Sequence, residues 1–160
     1  MNWQGFAENV PERLDRLQHE GRMGPAVVVF PDCFTCMGGN QYVDSAGVGR
    51  YLTYLTDEVL PEVAGRLRIL PGRAHRACFG KSSGGYGALV HGMLRPDVWG
   101  AVACHSGDMY FDFAYRLDAP RVLGALAKHG GSPAKFVRAF RQKAKVSDSD
   151  VHVLMFLCMA

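Results

Sequence analysis

The stretch Arg76-Ala77-Cys78-Phe79-Gly80-Lys81-Ser82-Ser83-Gly84-Gly85-Tyr86-Gly87-Ala88 decides how the rest of the chain is read. Residues 76–79 read as a short buried strand that stops at Gly80. A helix begins near Ser83, with Tyr86, Leu89, Val90 and Met93 on its inner side, and Pro96 ends it. Between them lies Gly80-Lys81-Ser82-Ser83-Gly84. This is the G-x-S-x-G pattern of a sharp turn that lifts a serine hydroxyl to the C-terminal end of a strand. Such a turn forces a strained backbone at the serine. It also draws together the positions two before and two after the serine, which need to lack side chains, as Gly80 and Gly84 do. Gly85, Gly87 and Ala88 let the helix pack closely against the strand. Ser82 is the candidate nucleophile, and the N–H of Ser83 would face a developing oxyanion. Ser83 is the rival nucleophile, but the residue two before it is the bulky Lys81. An incidental serine in a Gly-rich strand-to-helix turn is the plain alternative.

The same residues contain Gly80-Lys81-Ser82, the ending of a phosphate-binding G-x-x-x-x-G-K-[ST] loop. That motif needs glycine at position 75, where this chain has His75, so nucleotide binding is the runner-up.

Outward from the turn, Ala26 to Phe30 is a continuous Val-rich apolar run, which reads as a strand buried on both faces of a parallel sheet. Residues 98–104 read as a third strand. Residues 9–20 look helical, with Leu14 and Leu17 on one side. Residues 50–66 carry Leu52, Leu55, Val59 and Val63 at helical spacing, with Pro61 expected to kink or split the helix. Strand, helix, strand, helix, strand is the order of an α/β parallel sheet. From Pro120 the pattern changes: residues 120–129, 133–144 and 148–159 read as helices, with Ser132 and Ser147 as N-caps. One domain over residues 1–160 follows, with a sheet core over 26–115 and a helical cap region over 116–160.

The 160 residues are 48% hydrophobic and 21% charged, which allows one ordinary globular core. A net charge of +3 with scattered basic residues gives no support to nucleic-acid binding. Lys135, Arg138, Arg141, Lys143 and Lys145 fit the wet face of a helix better than a binding patch. Five cysteines, an odd number with three in apolar runs, suit reduced and mostly buried thiols. Cys33-x-x-Cys36 lacks the second pair that a metal site would want. The charged N-terminus has no apolar signal core, and the apolar stretch Val151–Ala160 is too short to span a bilayer. A cytoplasmic protein without membrane contact is expected.

On Val27-Val28-Val29-Phe30-Pro31-Asp32-Cys33-Phe34-Thr35, Gly39-Asn40-Gln41-Tyr42, Gly80 to Ala88 and Cys104-His105-Ser106-Gly107-Asp108, the chain resembles one esterase branch of the α/β-hydrolase superfamily. That branch holds esterase D, S-formylglutathione hydrolase and the enterochelin-esterase-like proteins. The resemblance implies a partial α/β-hydrolase fold that acts without cofactor or metal on a small-molecule ester or thioester. It implies acylation of Ser82, with the amides of Ser83 and Phe34 as the oxyanion hole. Cys36 falls where some S-formylglutathione hydrolases carry a cysteine near the nucleophile.

The superfamily's triad runs Ser, acid, His in chain order. Here the chain ends in helices before the strands that usually precede the acid and the His, so it reads as a piece of a longer enzyme. Among the residues present, Asp108 and His105 are the acid and base candidates. His91 lies beyond the first turn of its helix, His129 at a helix C-terminus, and His152 within a cap helix. A serine lacking its base keeps only the oxyanion hole and binding, roughly 10³–10⁴-fold over water. Uncovered sheet edges would invite association into a homo-oligomer. A catalytically silent scaffold on the same fold is the competing reading. Acyl transfer to an alcohol differs from hydrolysis only in the acceptor.

Overall fold

The computed structural model describes residues 8–159. They fall into two compact units, one ending at Phe30 and the other beginning at Pro31.

The first unit carries α1 (Val10–His19). Asn9 and Glu12 close a reciprocal capping box at its start, with Pro11 in the first turn, where its missing N–H costs nothing. Ala26–Phe30, expected as a buried strand, is not one. Among the described residues it pairs with no strand, and Phe30 is 63% exposed. A run of valines favours extended backbone, but a buried strand also needs neighbours to bond and cover it.

The second unit opens with a loop and a small antiparallel hairpin, β1 (Asp44–Ser45) and β2 (Gly49–Arg50), which the sequence did not announce. Residues 51–66 then form one helical path in three parts. These are α2 (Tyr51–Thr53), a π-helical stretch (Tyr54–Val59) and α3 (Leu60–Arg66). Proline 61 explains the widened turn. Its ring would press on the carbonyl one turn back, and the wider winding accommodates it. The Leu60 N–H accordingly donates to the Leu55 carbonyl, five residues back.

The parallel sheet has two strands, β3 (Ala77–Lys81) and β4 (Ala101–His105), in register from Ala77 opposite Ala101 to Lys81 opposite His105. The helix between them, α4 (Ser83–Leu94), packs on both. Strand β3 runs to Lys81 rather than stopping at Gly80. Strand β4 starts at Ala101 rather than at residue 98, because the Val98 N–H closes a turn onto the Arg95 carbonyl. The strands are not buried as expected: Phe79 is 57% exposed and all of β4 is exposed. The inner face of α4 differs in part, with Val90 buried as expected and Tyr86 and Leu89 half-buried. Met93 points outward, and the buried positions are Gly85, Gly87, Ala88, Val90 and His91. Small residues make this face because the helix lies close: a Cβ at position 92 would come within 2.8 Å of the Val102 side chain.

After β4 come α5 (Phe111–Ala114) and a 3-10 turn (Arg116–Asp118). Then follow α6 (Ala119–Ala127), α7 (Pro133–Arg141) and α8 (Asp148–Leu157). Ser132 accepts from the Lys135 N–H, and Ser147 shares a capping box with Asp150. Val122, Leu126, Phe136 and Val153 form the buried core of these helices. The architecture is mixed α/β, with a small parallel sheet and flanking helices, that of a partial α/β-hydrolase fold. No helix among the described residues is long and apolar enough to cross a membrane.

Candidate active site

Ser82 sits between β3 and α4 with φ 56° and ψ −124°, a backbone conformation that side chains strongly disfavour. Three hydrogen bonds hold it there. Its N–H donates to the His105 carbonyl (3.1 Å), and its carbonyl accepts from the Tyr86 N–H (3.0 Å) and the Asp108 N–H (3.3 Å). The bend is tight enough that a Cβ at position 80 would strike the backbone carbonyl of Gly84, 2.8 Å from its Cα. The demand is one-sided. A Cβ at position 84 would only touch the Tyr42 ring at 3.9 Å. A Cβ at position 85 would meet Gly107 and the His105 carbonyl at 2.9 Å, and one at position 87 would meet Tyr42 at 2.8 Å.

At the tip, the Ser82 hydroxyl is exposed and donates to Asp108 Oδ1 (3.0 Å). The other carboxylate oxygen, Oδ2, accepts from the Ser83 hydroxyl (2.8 Å) and the Tyr115 hydroxyl (2.6 Å). Burial alone would raise the Asp108 carboxyl. The hydroxyls of Tyr115, Ser83 and Ser82, with the Gln41 side chain, outweigh it and hold the group below its ordinary value. Tyr115 shows the converse: burial and the adjacent carboxylate push its phenol up to about 12. Gln41 is almost fully buried, and its Oε1 has no hydrogen-bond partner among the described residues.

The Ser83 N–H, in the first turn of α4, has no acceptor among the described residues. The Phe34 N–H is committed differently, donating to Asp32 Oδ1 at 3.0 Å, while the Phe34 ring is 74% exposed. His105 lies opposite Lys81 at the end of β4, and its backbone carbonyl anchors Ser82. Its imidazole is exposed and makes no hydrogen bond among the described residues. His91 is buried, with Nε2 2.7 Å from the Tyr42 carbonyl, and burial lowers its pKa. His129 packs edge-on to Phe136, and His152 Nδ1 lies 2.8 Å from the Asp148 carbonyl within α8. The imidazoles of residues 91, 129 and 152 are thus tied into packing rather than turned toward Ser82.

The five thiols are free, and they are less uniformly buried than expected. Cys33 and Cys158 are buried and Cys78 half-buried, but Cys36 and Cys104 are exposed. Cys104 lies on the uncovered strand β4. No cluster of three metal-binding side chains occurs among the described residues.

Sequence reasoning singled out Ser82, Ser83 and Asp108, and the fold brings these three together. It did not single out Tyr115 or Gln41 as partners of Asp108. Gln41 lay within the segment that carried the resemblance, and nothing near Tyr115 gave a signal.

The family model described as "Putative esterase" matches residues 9–146, most of the chain. No curated protein matches it.

Proposed function

The chain belongs to the esterase family whose model covers residues 9–146, and from that premise we propose that it hydrolyses carboxylic esters or thioesters through an acyl-enzyme on Ser82. Family membership supports a hydrolase of ester substrates; the acyl-enzyme is our reading. In that reading Ser82 Oγ attacks the carbonyl carbon as its proton passes to a base. The oxyanion gathers at the Ser83 N–H, and the leaving alkoxide or thiolate departs protonated. Water then repeats the sequence on the acyl group, releasing the acid and restoring the hydroxyl.

One observation supports this above the others. Ser82 stands at a strained strand-to-helix bend, with its hydroxyl on the Asp108 carboxylate and an unclaimed N–H beside it. Asp108 is the group we assign to receive the Ser82 proton. A carboxylate with a lowered pKa is a poor general base, since proton transfer works best when the base titrates near the working pH. Slow turnover follows. For Phe34 to serve as second oxyanion donor, its N–H must first leave the Asp32 carboxylate.

A fluorophosphonate probe tests the reading. Labelling at Ser82, abolished in Ser82→Ala, is the expected result. With Asp108 as base, the labelling rate holds from neutral pH down into the ordinary carboxylate range. With His105 as base, His105→Ala slows the labelling instead. A folded protein that the probe leaves untouched favours the catalytically silent scaffold, which the committed Phe34 N–H and the lowered Asp108 pKa support.

A further inference from the structure

A cleft of about 720 Å³, whose lining does not include Ser82, lies between Cys36, Met37 and Gly47 on one side and helices α7 and α8 on the other. Its volume is on the scale of a small-molecule site. Met37, Val137 and Leu157 give it an apolar wall, and Arg138 and Arg141 stand on the same face of α7, three residues apart. Neither arginine makes an ion pair or hydrogen bond among the described residues. The other face of α7 is spent on packing: Phe136 is buried in the helical core and Phe140 lies against it. So one helix turns aromatic rings inward and an unpaired cationic pair toward an apolar cavity.

We propose that this cleft binds an apolar-tailed carboxylate, with the hydrocarbon chain against Met37, Val137 and Leu157 and the carboxylate on Arg138 and Arg141. The guanidinium fork matches a carboxylate in two parallel hydrogen bonds, which a neutral head group cannot reproduce. The chain's apolar area supplies the remaining affinity. The site is separate from the acylation chemistry and does not depend on it.

Cys36 lines the cleft and is exposed, while Cys104 is exposed on β4, so the two thiols report location. Decanoate, kept below its micellar concentration, is the probe. The expected results are saturable one-site binding by calorimetry and slower iodoacetamide alkylation of Cys36, but not of Cys104, by peptide mass mapping. Arg138→Gln with Arg141→Gln weakens binding by about tenfold, the loss of a charge-assisted pair. Decanol binds correspondingly weakly. Ala134→Glu, which sets a carboxylate on the cleft wall, blocks binding independently of the arginines. Fluorophosphonate labelling stays unchanged in these variants, which separates failure here from failure of the Ser82 reading. The proposal is overturned by absent or unsaturable binding, by equal protection of both thiols or none, by decanol binding as tightly as decanoate, or by undiminished decanoate affinity in the arginine double variant.

Discussion

The Ser82 turn and the α6–α8 helices are built on opposite principles. The helices hold together by side-chain volume: Val122, Leu126, Phe136 and Val153 fill a common centre, and serine caps start two of the three. The turn holds together by missing volume. Gly80, Gly85 and Gly87 let backbone lie against backbone or against the Tyr42 ring, and hydrogen bonds among Ser82, His105 and Asp108 fix the path. One region is robust to small polar changes and sensitive to cavities. The other is the reverse, so the smallest possible addition should do the greatest harm there.

Gly80→Ala carries the largest expected effect. The new methyl meets the Gly84 backbone, which has no flexible end to move. Destabilisation on the order of 4 kcal/mol, with loss of probe labelling, is expected in chemical denaturation. Phe136→Ala tests the other region. Emptying a site only 2% exposed should cost about 3 kcal/mol by the same measurement. Equal tolerance of both substitutions would erase the contrast.

Tyr115→Phe is the next smaller effect, about 1 kcal/mol near neutral pH from one lost hydrogen bond. It also carries a signature in pH. The phenol is raised from 10.0 to about 12 in the folded protein. Its contribution is therefore complete below about pH 10 and is lost as pH rises toward 12. The parent protein should lose stability across that window, and the variant should lack this component of the loss. Asp108 has the opposite sign. Its lowered value gives stability that is present above the ordinary carboxylate pKa and lost as pH falls through the folded one.

Gly84→Ala should be the mildest. The methyl reaches only an ordinary contact with Tyr42, and alanine suits a helical position by up to about 1 kcal/mol more than glycine. The pair Gly80→Ala and Gly84→Ala thus asks whether the pattern's two glycines are equivalent. The geometry makes them unequal: position 84 contributes the backbone that position 80 must avoid.

What was legible in the sequence follows the same division. Helices α6, α7 and α8 announce themselves locally, through periodicity and through Ser132 and Ser147, and the structure keeps them within a few residues. The turn is equally local, so Gly80 to Gly84 could be placed between a strand and a helix. Ala26–Phe30 failed because apolar composition cannot say whether a partner strand lies alongside. The inner face of α4 was read in part: Gly85, Gly87, Ala88 and Val90 pack inward as expected, whereas Met93 is exposed and His91 takes an inner position that helical spacing of large apolar residues did not mark. The Asp108 cluster draws on residues 41, 82, 83, 108 and 115, which meet only through the folded path of three segments. No spacing rule joins Gln41 to Tyr115. The commitment of the Phe34 N–H to Asp32 is likewise invisible until the loop is folded.

Among the described residues, the non-glycine residues with positive φ are Tyr42, Ser82, Ser106 and Tyr110, and all four lie in segments that converge on the turn. Backbone held in sparsely allowed conformations relaxes when its surroundings loosen. Gentle warming will therefore slacken this neighbourhood ahead of the rest. Reactivity will fade at a temperature where circular dichroism still reports intact helices, and prompt cooling will restore it.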